Sequence, residues 1–186
     1  EIFQCRGNNE YPGCPRERNL NRHRPTHHKH AYIDYALKSK KYKMGFIASG
    51  DHNSMGIGVA ALWVKEVSRA GIIEALQNRH TFATTGDKMF IDFKLNGAIV
   101  GSTSKSNKPP AIEIEVLGQY PLEKVEILRN SKVVQTFKMA DNTLKFEQTY
   151  FDINYKEEEE VLYYYIRATQ KNNALAWSSP IWVESL

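Results

Sequence analysis

From residue 89 onward, apolar and polar residues alternate with a period of two over several short segments. The apolar positions of the first two segments are Ile91, Phe93, Leu95, Ile112, Ile114 and Val116. A later segment carries Leu162, Tyr164, Ile166 and Ala168 on one face, with Tyr163, Tyr165, Arg167 and Thr169 on the other. This alternation is typical of antiparallel strands, and turn formers such as Asn96-Gly97 separate the segments. We therefore predict a β-sandwich of immunoglobulin-like or fibronectin-like form over residues 96–186.

Residues 1–95 follow a different pattern. The apolar run from Met44 to Ala48 is followed at once by the polar residues 49–53, so a buried strand is expected to deliver polar side chains at its carboxyl end. Helical spacing of apolar residues follows Thr26 and again follows Ser68. α/β barrels place their chemistry at the carboxyl ends of strands. The pattern therefore predicts an α/β region, the end of a barrel, before the sandwich.

Composition limits the classes of function. The chain has 186 residues and a net charge of +4, and it lacks an apolar run long enough to cross a membrane. Ten Lys and Arg residues fall within residues 1–50, but aromatic residues do not interleave with them, which argues against binding to nucleic acid.

Because the chain opens without Met on an apolar pair, we expect upstream sequence, and the localisation stays open. Cys5 and Cys14 could form a disulfide or stay reduced.

Two polar clusters are candidates for chemistry. Asp51 and His52 combine a carboxylate with an imidazole, which are ligands that Zn, Mn and Fe accept. The alternative is an ordinary turn in which Asp51 caps the next segment. A second group is rich in histidine and comprises His23, His27, His28 and His30. These residues could bind a metal, lie near a substrate, or simply belong to the surface of a loop and the first turn of a helix.

Several separated stretches are familiar in this order. They are EIFQ at 1–4, NEYPGCPR at 9–16, YKMGFIASGDH at 42–52, ALQNRHTFATTG at 75–86 and AWSSPIW at 176–182. Together they resemble an uncharacterised branch of the PHP (polymerase and histidinol phosphatase) superfamily. The resemblance implies a distorted β/α barrel of TIM type with a multinuclear metal centre. In that family a late strand contributes a Ser-Asp-x-His pattern; Asp51 matches the aspartate, whereas the histidine position is occupied by Asn53 and His52 directly follows Asp51.

The resemblance implies that residues 1–95 are the C-terminal portion of a PHP-like, metal-dependent hydrolase barrel. The intact protein would hydrolyse a small-molecule ester or phosphoester with water activated by a divalent metal, Zn, Mn or Fe. Asp51 would bind the metal, and His52 would be a metal ligand or a catalytic proton shuttle. The residues expected to reach the anionic substrate are Arg79, His80, Thr84 and Thr85.

The family's remaining metal ligands would precede Glu1. We therefore expect this chain alone to be inactive and to bind metal weakly or not at all. Its expected partners are the missing N-terminal portion of the barrel or, as an open alternative, a second copy in a homo-oligomer. The alternative function is non-catalytic: a β-sandwich module that binds carbohydrate or protein through aromatic residues such as Trp177 and Trp182.

Overall fold

The computed structural model describes residues 1–18, 31–39, 42–51, 56–155 and 161–186. Strands make up most of the regular secondary structure of the described residues, and the helices among them are two short ones. The elements are β1 Phe3–Gln4, β2 Gly7–Asn8, α1 Ile33–Lys38, β3 Val59–Leu62, α2 Arg69–Gln77, β4 Thr81–Thr84, β5 Phe90–Leu95, β6 Ala98–Ile99, β7 Thr103–Lys105, β8 Ala111–Leu117, β9 Leu122–Arg129, β10 Lys132–Lys138, β11 Lys145–Phe151, β12 Val161–Gln170, β13 Leu175–Ser178 and β14 Ile181–Glu184. None of the described helices is long and apolar enough to cross a membrane.

The strands form two large sheets and one small one. The eight-stranded sheet runs in the order β10-β9-β12-β13-β4-β3, and β14 joins it by pairing with both β12 and β7. The four-stranded sheet has the order β11-β8-β5-β6, and β1 pairs with β2 alone. Among the described strands, every ladder is antiparallel except the one between β14 and β7. Antiparallel neighbours joined by short turns therefore dominate the architecture.

The two large sheets pack face to face around an apolar core. Because successive strand residues point to opposite sides, the period-two pattern sends one set of side chains inward. The fully buried members of this set include Ile91, Phe93, Leu95, Ile112, Val116, Val125, Ile127 and Ile166. The predicted alternation thus matches the observed inner faces of β5, β8 and β12.

A third layer covers the other face of the eight-stranded sheet. Residues 1–18, 31–39 and 42–51, which we name the N-terminal layer, contribute Ile2, Phe3, Leu37, Phe46 and Ala48 to a second apolar cluster. These side chains pack on Tyr165, Trp177 and Trp182 of the sheet. The Phe3 and Trp177 rings stack with centroids 6.1 Å apart, and the Phe46 ring meets Tyr165 edge to face. As a result, β12 is buried on both faces.

The prediction of a distorted β/α, PHP-like or TIM-type barrel followed by a separate β-sandwich is wrong. The apolar run expected to form a barrel strand is extended, but its only described bridge is the isolated parallel one between Phe3 and Ala48. Its apolar side chains cover the eight-stranded sheet instead. Strand β3, which also lies within the residues expected to form the barrel, pairs antiparallel with β4. A buried apolar run does not by itself distinguish a parallel barrel strand from a covering segment, and here the covering role applies.

The division of the chain into residues 1–95 and 96–186 stays a prediction. Strands from both sides of that boundary nevertheless share one sheet, because β4 pairs with β13 over Thr84↔Ala176, Ala83↔Trp177 and Phe82↔Ser178. The four-stranded sheet also crosses the boundary, because β5 pairs with β8. The two parts of the chain are therefore joined by continuous backbone hydrogen bonding.

Candidate functional site

The extended segment 42–50 carries Asp51 to the surface. Its backbone is held between β1 and the eight-stranded sheet: the Ile2 amide donates to the Ile47 carbonyl at 2.9 Å, and the Phe46 amide donates to Ser179 Oγ at 2.8 Å. Phe46 and Ala48 are buried. The chain then turns outward, so that Asp51 lies exposed directly after a firmly held stretch.

Four side chains meet around this turn, and we name Glu1, Arg6, Ser49 and Asp51 the Asp51 cluster. The Arg6 guanidinium donates to the Asp51 carboxylate, and Ser49 Oγ donates to the Glu1 carboxylate. The Asp51 amide in turn donates to Ser49 Oγ at 3.3 Å. Asp51 has φ of 58°, a left-handed conformation that Asp adopts more readily than most residues. The cluster therefore presents two carboxylates and one guanidinium on a short stretch of surface.

Two glycines bring the loop after β4 close to this cluster. A side chain at Gly58, which has φ of 83°, would place Cβ 2.5 Å from the Ser49 carbonyl oxygen. A side chain at Gly86, which has φ of 127°, would place Cβ 2.3 Å from the Gly56 carbonyl oxygen. Glycine is required at both positions because the backbones approach too closely for any other residue. The contacts link residue 49 to residue 58 and residue 56 to residue 86.

Thr84 and Thr85, which we expected to reach an anionic substrate, lie at the end of β4 where Thr84 pairs with Val59 of β3. Both are buried, and their hydroxyl oxygens accept backbone hydrogen bonds. Thr84 Oγ1 accepts from the Gly86 amide at 3.2 Å, and Thr85 Oγ1 accepts from the Leu175 amide at 3.0 Å. These hydrogen bonds fix the turn between β4 and β5 and tie it to β13.

Arg79 and His80 lie at the opposite end of β4, roughly 13 Å away along the strand. The Arg79 guanidinium donates to the carbonyls of Gly101 and Gln77, and its Cζ lies 5.9 Å from the centroid of the Trp182 ring. Burial, together with the positive charge of Arg79, lowers the pKa of His80 below its ordinary value. The structure therefore does not bring these two residues to Thr84, Thr85 and Asp51.

The described residues do not by themselves form a metal centre. No group of three or more His, Cys, Asp and Glu side chains converges among them. Asp51 offers one candidate ligand, and Arg6 already engages its carboxylate. His52 lies outside the described residues, as do His23, His27, His28 and His30. The prediction of a metal-binding barrel of TIM type is therefore wrong for the described part of the chain, which forms sheets and brings no metal-binding group together.

A buried ionic network, which sequence reasoning missed, fastens the N-terminal layer to the sheet. Arg167 Nη1 donates to Glu10 Oε2 at 2.8 Å, and its Nε donates to Glu126 Oε2 at 2.9 Å. Tyr165 Oη donates to Glu10 Oε1 at 2.8 Å, and Trp177 Nε1 donates to Glu10 Oε2 at 3.1 Å. Glu10 is 1% exposed. The signal in the sequence was Arg167, the one charged residue in β12.

The charged groups of this network set the direction in which the pKa values of Arg167 and Glu126 shift. Burial alone would lower the pKa of Arg167, but the carboxylates of Glu10 and Glu126 outweigh burial and raise it. Burial alone would raise the pKa of Glu126, but Arg167 and Lys124 outweigh burial and lower it. Both groups are therefore held in their charged forms inside the protein.

A polar groove of about 590 Å³ crosses the outer face of the four-stranded sheet. It is lined by Asp92, Lys94, Glu113, Ile114, Glu115, Glu147, Gln148 and Thr149. Lys94 pairs with Asp92, and Lys145 pairs with both Glu115 and Glu147. Aromatic rings, which stack on sugars, are not among the lining residues. The groove is thus acidic and polar.

Both cysteines are free thiols, although Cys5 and Cys14 were considered as a disulfide pair. Cys14 is buried within the N-terminal layer, and its Sγ lies 3.8 Å from the Asn8 carbonyl oxygen. Burial raises the pKa of Cys14 to about 11. This thiol is therefore protonated and shielded at neutral pH.

Comparisons with known proteins give relatives without an assigned function. A family model described as a protein of unknown function (DUF3604) matches residues 20–109. An uncharacterized protein of Chlamydia pneumoniae is 33% identical over 78% of this chain, and one of Chlamydia muridarum is 30% identical over 80%. A third, from Chlamydia trachomatis serovar D, is 29% identical over 80% of this chain.

The chain spans only 28% of the length of these curated relatives. Among solved structures, the crystal structure of an engineered protein has a TM-score of 0.31 and 16% identity, covering 52% of this chain and 20% of its own. A likeness at that level carries no argument about fold or function. This chain is thus similar to a family model of unknown function over residues 20–109 and to parts of much longer proteins.

Proposed function

We propose that this chain is the C-terminal part of a metal-dependent, phosphoesterase-like hydrolase, as its resemblance to the PHP superfamily implies, and that Asp51 belongs to the active site. The observation that supports the proposal is the position of Asp51, which is exposed at the end of a buried segment and beside Arg6. Most of the catalytic machinery would then lie in the longer polypeptide.

Arg6 is the residue in the Asp51 cluster suited to an anionic ester. A guanidinium offers a planar fork of N–H donors that matches phosphate geometry. In the described structure this fork is occupied by Asp51. An incoming phosphoryl group would compete with Asp51 for Arg6 and release the carboxylate to bind a metal or accept a proton. Thr84 and Thr85 would support the neighbouring wall, whereas Arg79 and His80 lie too far along β4 to join it.

A divalent ion, Zn, Mn or Fe, would supply a Lewis acid for the reaction. Asp51 is the single described residue that we assign to it. Its further ligands would have to come from His52 or from the longer polypeptide. The Asp51 side chain is 22% exposed, which leaves part of the carboxylate accessible to additional ligands.

The proposal is tested by hydrolysis of aryl phosphomonoesters and phosphodiesters by the longer polypeptide, with each metal added in turn. We expect Asp51→Asn to lower kcat/KM by about 100-fold or more, and Arg6→Lys to raise KM for the anionic ester by about 10-fold. Asp141→Asn is the matched control, since Asp141 is an exposed carboxylate paired with Lys171 and should leave kcat/KM unchanged. Full activity in Asp51→Asn would rule out the proposal.

The polar groove favours the second candidate, a non-catalytic binding module. Its lining carries an excess of carboxylates and no aromatic ring, which suits a basic segment of a protein better than a carbohydrate. Binding of this chain to a glycan panel and to lysine-rich and arginine-rich peptides would distinguish the two ligands. Micromolar peptide binding that is lost in Glu113→Lys, without any hydrolase activity in the longer polypeptide, would favour the module.

A further inference from the structure

The region formed by β3 and α2 leaves apolar side chains exposed beside an open sheet edge. β3 is the last strand of the eight-stranded sheet, and among the described strands it pairs with β4 alone. α2 packs against β3 and buries only Ala75. The exposed apolar residues of this region are Ile57, Val59, Val67, Ile72, Ile73 and Leu76. We name β3, α2 and these residues the β3–α2 surface.

Among the described residues, the outward edge of β3 has backbone groups without a partner strand. The Trp63 amide donates to the His80 carbonyl at 2.9 Å, so these two residues form a hydrogen-bonded pair. Because bonded and non-bonded pairs alternate in antiparallel ladders, the backbone groups of Ala60 and Leu62 point away from β4. An edge of this kind is a template for another strand.

The helix α2, which contacts β3, carries exposed apolar residues. Ile72, Ile73 and Leu76 are 43%, 46% and 47% exposed, and their spacing places them on one side of the helix. Val67, in the connection before α2, is 90% exposed. Single exposed apolar residues are ordinary, but a group this dense beside an open edge is typical of an interaction surface.

We propose that the β3–α2 surface is the interface of a symmetric dimer of this chain. Antiparallel pairing of β3 with its copy is self-complementary, since a twofold axis between the strands joins Ala60 and Leu62 of each copy to the other. A twofold axis perpendicular to the sheet also keeps both α2 helices on the same side. The apolar side chains of the two copies then cover one another.

The exposed apolar area of the β3–α2 surface is sufficient for an interface with a second copy of the chain. The six apolar side chains are between 38% and 90% exposed. A dimer that covered them would bury on the order of 1,000 Å², the lower range of specific interfaces. Strand pairing across the edge would add hydrogen bonds to that area. Small interfaces are typical of weak association, so we expect a Kd on the order of 10 µM.

Analytical ultracentrifugation and light scattering of this chain test the proposal. The chain should be a dimer at concentrations on the order of 100 µM, and Ile73→Glu should shift it to monomer. Ala60→Pro should do the same, because it removes an outward amide without removing a bond to β4. Leu144→Glu is the matched control: Leu144 is 49% exposed in the connection between β10 and β11, so this variant should remain a dimer.

Hydrogen exchange of the unmodified chain supplies a readout that does not depend on a variant folding. The amides of Ala60 and Leu62 should become protected as the chain concentration rises. A monomer at the highest concentration would overturn the proposal, as would a dimer unaffected by both Ile73→Glu and Ala60→Pro. If only the longer polypeptide protected these amides, another part of that polypeptide would cover the surface, and the dimer would be excluded.

Discussion

The two faces of β12 are both buried, but they are covered by different chemistry. One face presents Leu162, Ile166 and Ala168 to the apolar core between the two large sheets. The opposite face presents Tyr165 and Arg167 to the N-terminal layer, where Glu10 receives hydrogen bonds from both. The first face is held by apolar area, which many residues of similar size could supply. The second combines an apolar cluster with a small set of buried charged groups, which only particular partners satisfy.

This difference shows how a polar strand face becomes interior. The alternation in residues 162–169 indicates two faces, and a face with an arginine normally faces water. Here the N-terminal layer supplies Glu10, so the buried guanidinium gains a second carboxylate beside Glu126. A buried charge is tolerated only when it is paired and hydrogen-bonded. The partner that satisfies Arg167 lies 157 residues away along the chain.

The largest expected effect is the loss of Glu10. Glu10→Ala removes one carboxylate from buried Arg167 and leaves the Tyr165 hydroxyl and the Trp177 indole without their acceptor. We expect the free energy of unfolding to fall by about 3–5 kcal/mol, as is usual when one partner of a buried ion pair is removed. Urea denaturation followed by circular dichroism measures this change.

The control for that experiment is Glu147→Ala, which removes an exposed carboxylate paired with Lys145 on the four-stranded sheet. It should cost less than about 1 kcal/mol, because exposed ion pairs contribute little. If Glu10→Ala and Glu147→Ala had similar small effects, the two faces of β12 would not differ in the way described.

A smaller effect is expected when a single hydroxyl is removed from the polar face. Tyr165→Phe deletes the hydrogen bond to the Glu10 carboxylate and should cost about 1.5–3 kcal/mol, the range for bonds to charged groups. Tyr163→Phe, on the same face, deletes a contact with the neutral hydroxyl of Ser131 and should cost about 0.5–1.5 kcal/mol. The reverse order in thermal or urea unfolding would show that the ionic network does not dominate this face.

The sequence predicted the strands and their inward faces better than it predicted how the strands assemble into sheets. Period-two alternation correctly indicated the inner faces of β5, β8 and β12, because the pleat of a strand ties side-chain direction to sequence parity. It could not show that the run around Phe46 covers a sheet instead of joining a barrel, since both settings bury an apolar segment. For the candidate site, Asp51 was found as a polar residue after an apolar run, whereas Arg6 was not, because their pairing depends on how β1 lies beside residue 48.

The smallest expected effect is a change in how steeply the free energy of unfolding falls at acidic pH. Since the folded-state pKa of Glu126 lies below its value in the unfolded chain, the folded protein binds fewer protons there. The free energy of unfolding should therefore hold above about pH 5 and fall as the pH drops below it. Glu126→Gln should lower stability at neutral pH and make that fall shallower. An unchanged acid slope in Glu126→Gln, measured by urea unfolding between about pH 3 and pH 7, would contradict the assignment.

The Glu10–Arg167–Glu126 network fastens the N-terminal layer, and with it Asp51, to the sheet. The buried Cys14 thiol reports detachment of this layer directly, in a Cys5→Ser background that leaves one reactive cysteine. Thiol labelling at neutral pH should be slow in that background and about 100-fold faster when Glu10→Gln is added, a change equivalent to about 3 kcal/mol of opening free energy. The strand signal in circular dichroism should persist. An equal labelling rate with and without Glu10→Gln would contradict the claim.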